Sequence, residues 1–376
     1  MPRRPPRSTI ESTLSVEGPP PPDSGGTPCT VSSRPSCSSR RSARWPPAPC
    51  SSPPRPRPLT ARLRGVVHVS QNFAGLLTRQ SPGGKQRVIA SAARGGEVGA
   101  VSVRRGVVTY AVSRGENEVG KVRQVRRDGT DRGLADLGRH ERRHNPDGAT
   151  TYGFEGLGEK CESRLPDDLL PATYDGRVET HPFATTSVGE TVYVADAGAN
   201  AVLAIDGDGD VSTVAVVPPA VAKVTKKVAR ATGLPGCTVG SRYRFESVPT
   251  DVEVGPGGQL YVTSLPGGPE DGSVGRLGSV HRVDPATGTT TRVVRGLLSA
   301  TGLAVADDGD LYVAELFGGR IVRVPAGTAR PTTLRRVSMP GDLEIAGGRL
   351  WATTDVLVGT APGQRPGGTV RSFPLP

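Results

Sequence analysis

What most constrains this chain is a repeat. Five times after residue 95, a short strand leads into a Gly-centred turn, a Tyr- or Trp-marked strand, more Gly and an apolar strand. The clearest copies are PTDVEVGPGGQLYVTSLPGG from Pro249, ATGLAVADDGDLYVAELFGG from Ala300 and HPFATTSVGETVYVADAGAN from His181. Weaker versions are EVGAVSVRRGVVTYAVSRG from Glu97 and GDLEIAGGRLWATTDVLVG from Gly341. Strands that repeat with a period of roughly 40 residues build a β-propeller, each copy forming one four-stranded blade. Within the strands apolar and polar residues alternate, as faces packed on neighbouring sheets require, and PGG, DDG, DGDG and PATG supply the turns.

A sixth copy lies upstream. VVHVSQNFAGLLTRQSPGGKQRVIAS, from Val66 to Ser91, aligns with the later blades, VSQNFAGLLTR matching VAELFGGRIVR, and reads as the second, third and fourth strands of a blade. The fold class is therefore all-β, a six-bladed β-propeller over residues 66–376 with a disordered N-terminal segment. Blade one lacks its innermost strand and blade six its outermost. Both would precede Val66 if the N-terminus closes the ring.

Residues 1–65 look foreign to that fold. They hold 16 of the 36 prolines, with runs such as PPPP at 19–22, and no extended alternation. Such a segment cannot bury enough apolar surface to offset chain entropy, so a disordered Pro/Arg-rich stretch is expected. Its bias toward Arg, Pro, Ser, Ala and Gly is also that of GC-rich DNA read in a shifted frame, which fits a mis-started N-terminus with a lost inner strand. No apolar h-region marks a signal peptide there. No run of 18 apolar residues marks a membrane span.

Charge follows the same division. Residues 1–65 carry 11 Arg and 3 acids, so +8 of the net +11 lies outside the repeats. The repeat region is nearly balanced and has no basic stripe with interleaved aromatics, which argues against a nucleic-acid partner. Two insertions, 138–180 and 218–248, interrupt the rhythm on either side of blade three and emerge on the face where the innermost strands begin. They carry Cys161 and Cys237, read either as a disulfide or as two buried thiols.

The innermost strands run in one direction, so their first residues should meet at one mouth of the central channel. Those residues are Glu97, His181, Asp251, Thr301 and Asp342. Glu97, His181, Asp251 and Asp342 form a candidate site for a hard cation such as Ca²⁺. The competing reading is that they cap turns and bind backbone N–H groups. Asp196 and Glu315 precede Gly-containing turns and read as turn stabilisers. Asp206, Asp208 and Asp210 imitate the start of an EF-hand loop, but Val217 stands where its bidentate Glu should be. His140 and His144 have metal-compatible spacing within RHERRH, which reads as a solvated helix face. No catalytic triad, paired catalytic carboxylates or cofactor fingerprint is found.

HNPDGATTYGFEGL (144–157), VPTDVEVGPGGQLYVTSLPGGPED (248–271) and ATGLAVADDGDLYVAELFGGRI (300–321) resemble the ScyD/ScyE family over about residues 66–376. The resemblance implies an extracytoplasmic, NHL-like six-bladed propeller, extracellular or periplasmic, without established catalytic residues. Two functions are carried forward. The first is a secreted, monomeric, non-enzymatic binding or scaffold module holding a small molecule, glycan or protein on the insertion-bearing face. The alternative is a metal-dependent, lactonase-like hydrolase at the channel mouth.

Overall fold

A computed structural model of the chain describes residues 14–17, 65–81, 85–166, 171–360, 364 and 367–376. The repeat becomes six antiparallel sheets. Blade two comprises Glu97–Arg104, Val107–Arg114, Val119–Val125 and Asp131–Asp136, paired in sequence order from the axis outward. Blades three, four and five follow the same plan, with inner strands Pro182–Val188, Ser247–Val254 and Ala300–Val305. Blade six has three strands among the described residues, beginning with Leu343–Ala346.

Blade one corrects the sequence reading. Its innermost strand is Leu14–Glu17, antiparallel to Val66–Gln71, with Leu14 opposite Val69 and Glu17 opposite Val66. The inner strand expected to be missing therefore lies within the segment set aside as disordered. Leu-Ser-Val-Glu is a short alternation that its Pro-rich flanks conceal. The expectation of disorder over 1–13 and 18–64 concerns residues outside those described.

Ring closure is visible in the apolar packing. Each of six buried clusters spans two neighbouring blades. Ala184, Ala195 and Val202 of blade three meet Val252, Leu260 and Val262 of blade four. Corresponding clusters join blades four to five, two to three, five to six and one to two. The last, Val67 and Val69 against Trp351, joins blade one to blade six. Each blade thus buries both faces on its neighbours, so short Val- and Ala-rich strands suffice without an aromatic core.

The two insertions are not separate rim loops. Thr173–Asp175, Thr151–Phe154, Arg242–Phe245 and Ala220–Lys223 form one four-stranded sheet in that spatial order, two strands from each insertion. Phe154 packs edge-on against Tyr243, with ring centroids 4.8 Å apart, above a cluster that includes Val224 and Ala229. A disulfide joins Cys161 to Cys237 across the pair, with Cα atoms 5.8 Å apart. RHERRH also differs from its reading as a solvated face. It ends the helix Leu137–His144, whose Leu137, His140 and Glu141 are buried, and His140 Nε2 bonds Thr213 of blade three. The pattern Leu137, His140, Glu141 is an i, i+3, i+4 face.

Candidate functional site

Inner strands present alternate residues to the central channel, and irregularities in four of them decide which residues those are. Register shifts lie between Gly99 and Val101, Pro182 and Ala184, Pro249 and Asp251, and Ala300 and Leu303. Beyond each shift the side chains turn inward at new positions. A cavity of about 210 Å³ is lined there by Val101 to Arg104, Ala184 to Ser187, Asp251, Glu253, Asp342 and Glu344. In blades two, three and four these residues lie mainly toward the ends of the inner strands. The cavity therefore lies away from the insertions, toward the opposite face.

Its two walls differ chemically. One is hydroxyl-bearing: Ser102 and Thr185 are hydrogen-bonded at 2.9 Å, with Thr186 and Ser187 beyond. The other is acidic, built from Asp-x-Glu in two strands, Asp251 with Glu253 and Asp342 with Glu344. A period of two places both acids of each pair on one face. Asp251 and Asp342 lie close enough for their charges to interact. Burial, then the charges of Asp342 and Glu253, holds Asp251 well above the usual carboxylate range. Burial and Asp342 push Glu253 up to about 8. Glu344 is also raised well above its ordinary value, by burial and then by Glu253 and Asp342. Protons on these acids relieve the like-charge repulsion.

Asp251 is fully engaged. Its Oδ1 accepts the Val252 N–H at 2.8 Å and its Oδ2 accepts the Leu303 N–H of blade five at 2.6 Å. Asp342 Oδ1 likewise accepts the Leu343 N–H at 2.8 Å. Thr301 donates to the Gly341 carbonyl of blade six at 2.6 Å. These polar groups of the inner strands staple one blade to the next.

The five strand-start residues do not meet in one ring. Glu97 Oε2 pairs with His181 Nε2 at 3.3 Å, and His181 Nδ1 meets Asn117 Oδ1 at 3.0 Å. Asp251 and Asp342 form a second pair deeper in the channel, because Asp251 stands four residues into its strand, at the bulge. Among the described residues no group of three or more His, Cys, Asp or Glu side chains is arranged to hold a metal ion. Glu253 and Glu344 were missed by the sequence reading, although the repeated Asp-x-Glu in two inner strands was the signal for them. Asp196 and Glu315 anchor turns: Asp196 accepts the Thr180 hydroxyl and three backbone N–H groups, and Glu315 binds the Leu298 N–H, Arg276 and Arg320. Asp206 accepts the N–H groups of Asp208 and Asp210, a local turn. No helix among the described residues is long and apolar enough to cross a membrane.

No family model and no curated protein matches the chain. The ScyD/ScyE resemblance therefore rests on the three sequence strings alone. Solved β-propeller structures do match. A virginiamycin B lyase from Staphylococcus aureus is 13% identical, with 84% of this chain and 83% of that one covered, at a TM-score of 0.45. A gluconolactonase from Xanthomonas campestris is 11% identical over 77% and 80%, at 0.47. A PQQ-bound aldose sugar dehydrogenase from Streptomyces coelicolor is 12% identical over 82% and 90%, at 0.46.

Proposed function

We propose that this chain is a secreted, non-enzymatic binding module of the ScyD/ScyE type whose channel holds a small polyhydroxylated molecule. The observation that carries the reading is the acidic wall facing a hydroxyl wall across one small cavity. Carboxyl groups that keep their protons near neutral pH both donate and accept hydrogen bonds, as hydroxyls do. Such a surface matches a polyol or single sugar better than a cation or an anion. A cavity of about 210 Å³ is smaller than the roughly 300–1,000 Å³ of drug-sized sites, which suits one small polyol. An extracellular or periplasmic location is supported by the Cys161–Cys237 disulfide, since such bonds persist in oxidising compartments.

The metal-dependent hydrolase reading is less well supported. Both oxygens of Asp251 are spent on backbone N–H groups, and Glu97 and His181 are paired elsewhere.

Titration calorimetry against monosaccharides and polyols tests the proposal. Because neutral carboxyls are invoked, Glu253→Gln with Glu344→Gln should keep the affinity near wild type. Glu253→Ala with Glu344→Ala should lower it roughly ten- to hundredfold through two lost hydrogen bonds. Absence of binding across the panel, or binding indifferent to the alanine pair, refutes the channel site. Turnover of lactones or esters that vanishes in Asp342→Asn would establish the hydrolase instead.

A further inference from the structure

A second polar neighbourhood lies beneath the insertion sheet, on the face opposite the channel cavity. Five of the nine buried side-chain polar atoms lacking a hydrogen-bond partner among the described residues are found there. They are both Oε atoms of Glu141, Oδ1 of Asp147, and the carbonyl oxygens Oδ1 of Asn145 and Asn200. All five are oxygens, which accept once the carboxyls are ionised. Random packing faults would leave donors and acceptors alike.

Bonding already present fixes this set in place. Asp147 Oδ2 accepts from the Tyr152 hydroxyl at 2.9 Å and from Asn200 Nδ2 at 2.8 Å, leaving Oδ1 without a donor. Asn145 Nδ2 donates to the Gly176 carbonyl at 3.0 Å, which likewise leaves its Oδ1 without a donor. Asn145 caps the helix Leu137–His144 in the left-handed conformation, its N–H bonded to the Glu141 carbonyl, one turn from the Glu141 carboxylate. Asn200 reaches in from blade three, so the set joins insertion to propeller. A Cβ at position 176 would lie 2.2 Å from Asp147 Oδ1, so only a glycine there lets the carboxylate pack against the chain. Glu141 is 2% exposed and Asp147 fully buried.

Buried acceptors without donors are costly, and a hard cation relieves several at once. We propose that Glu141, Asp147, Asn145 and Asn200 bind one divalent cation of the calcium class, which pins the insertion sheet to blade three. Two carboxyl groups, which give up any proton as the ion binds, and two carboxamide carbonyls make an all-oxygen set that carries charge −2 when loaded, and water completes the six to eight ligands that Ca²⁺ takes. The set is separate from the four residues considered for calcium at the channel mouth. It also gives the Asn-Pro-Asp-Gly string at 145–148 a role beyond turning the chain.

The experiment is calcium titration of the full chain after chelation, followed by thermal unfolding and by calorimetry. The expected result is one calcium per chain, with a melting temperature that rises with the free ion by mass action. Asp147→Asn should abolish the rise, while Glu253→Ala with Glu344→Ala in the channel should leave it intact. Should Asp147→Asn not fold, Asn200→Asp adds a third charge and should tighten calcium binding at least tenfold. No calcium bound at millimolar ion overturns the proposal, as does a stoichiometric shift that survives Asp147→Asn or is unmoved by Asn200→Asp. Polyol binding in the channel is measured independently, so either proposal fails without the other.

Discussion

The molecule buries acids in two places and treats them differently. In the channel, Asp251 and Asp342 take backbone N–H groups and raise each other's proton affinity, and Glu253 holds its proton up to about pH 8. Under the insertion sheet, the second oxygen of Asp147 and both oxygens of Glu141 have no donor. Burial, then the charges of Asp196 and Asp147, raises Glu141 to about 8 as well. The shifts match, yet the surroundings do not. A proton satisfies a carboxyl whose other oxygen already has a donor. Oxygens left without donors on a helix, its cap and a neighbouring blade call for something with more than one contact to give.

The largest effect expected to separate the two regions comes from the disulfide. Cys161 and Cys237 are 76 residues apart, and a cross-link closing a loop of that size contributes about 4 kcal/mol in the chain-entropy account. Cys161→Ser with Cys237→Ser should lower stability by about that much in urea unfolding. Calcium affinity should fall while polyol affinity in the channel stays unchanged. Loss of channel binding together with calcium binding would show that the insertion sheet and the ring are one cooperative unit.

Next is Asp251→Ala, which strands the N–H groups of Val252 and Leu303 at the junction of blades four and five. Unfolding should weaken by about 2–3 kcal/mol, and calcium binding should not change. Asp251→Asn keeps an acceptor and should recover part of the loss.

The third effect is in pH. Glu253 has its ordinary value near 4.5 when unfolded and is raised to about 8 when folded. The native state therefore holds a proton that the unfolded chain has released across that window. Its contribution to stability is fully present below about pH 4.5 and is lost as pH rises through about 8. Urea midpoints should decline over that interval, and Glu253→Gln should flatten the decline. A midpoint that rises over the same range contradicts the channel assignment.

The parts of this architecture that were legible in the sequence are the parts made locally. Each blade writes its own strands and turns, so the ring could be assembled from copies such as those at Pro249 and Ala300. Leu14–Glu17 was hidden because four alternating residues cannot outweigh the proline around them; only pairing with Val66–Gln71 identifies the strand. The channel was misplaced because bulges shift which residue faces inward. The pattern of strand starts points to the mouth, whereas Asp251 follows a bulge and Glu253 lies two residues beyond it. The insertion sheet joins residues such as Phe154 and Tyr243, far apart in the chain, and only the two cysteines hinted at it. Asn145 and Asp147 were visible as a family-like string, but their unsatisfied oxygens exist only once Asn200 and Gly176 close around them.

The smallest effect tests how rigidly the helix holds its side of the cation set. Asp136 caps the helix Leu137–His144, its Oδ1 accepting the Arg139 N–H at 2.9 Å. Removing such a cap costs about 1 kcal/mol. The helix carries Glu141 on its buried face, with Asn145 at its far end, so fraying from the capped end reaches the carboxylate first. Asp136→Ala should therefore weaken calcium binding by roughly fivefold at most, the factor that about 1 kcal/mol allows, and Asp136→Ser should restore it. Asp136 is on the last strand of blade two and does not line the channel cavity, so polyol binding should be unmoved. A fall in calcium affinity much beyond fivefold would mean that the helix folds only when the ion is bound, and that the ion organises the root of the insertion instead of filling a finished socket.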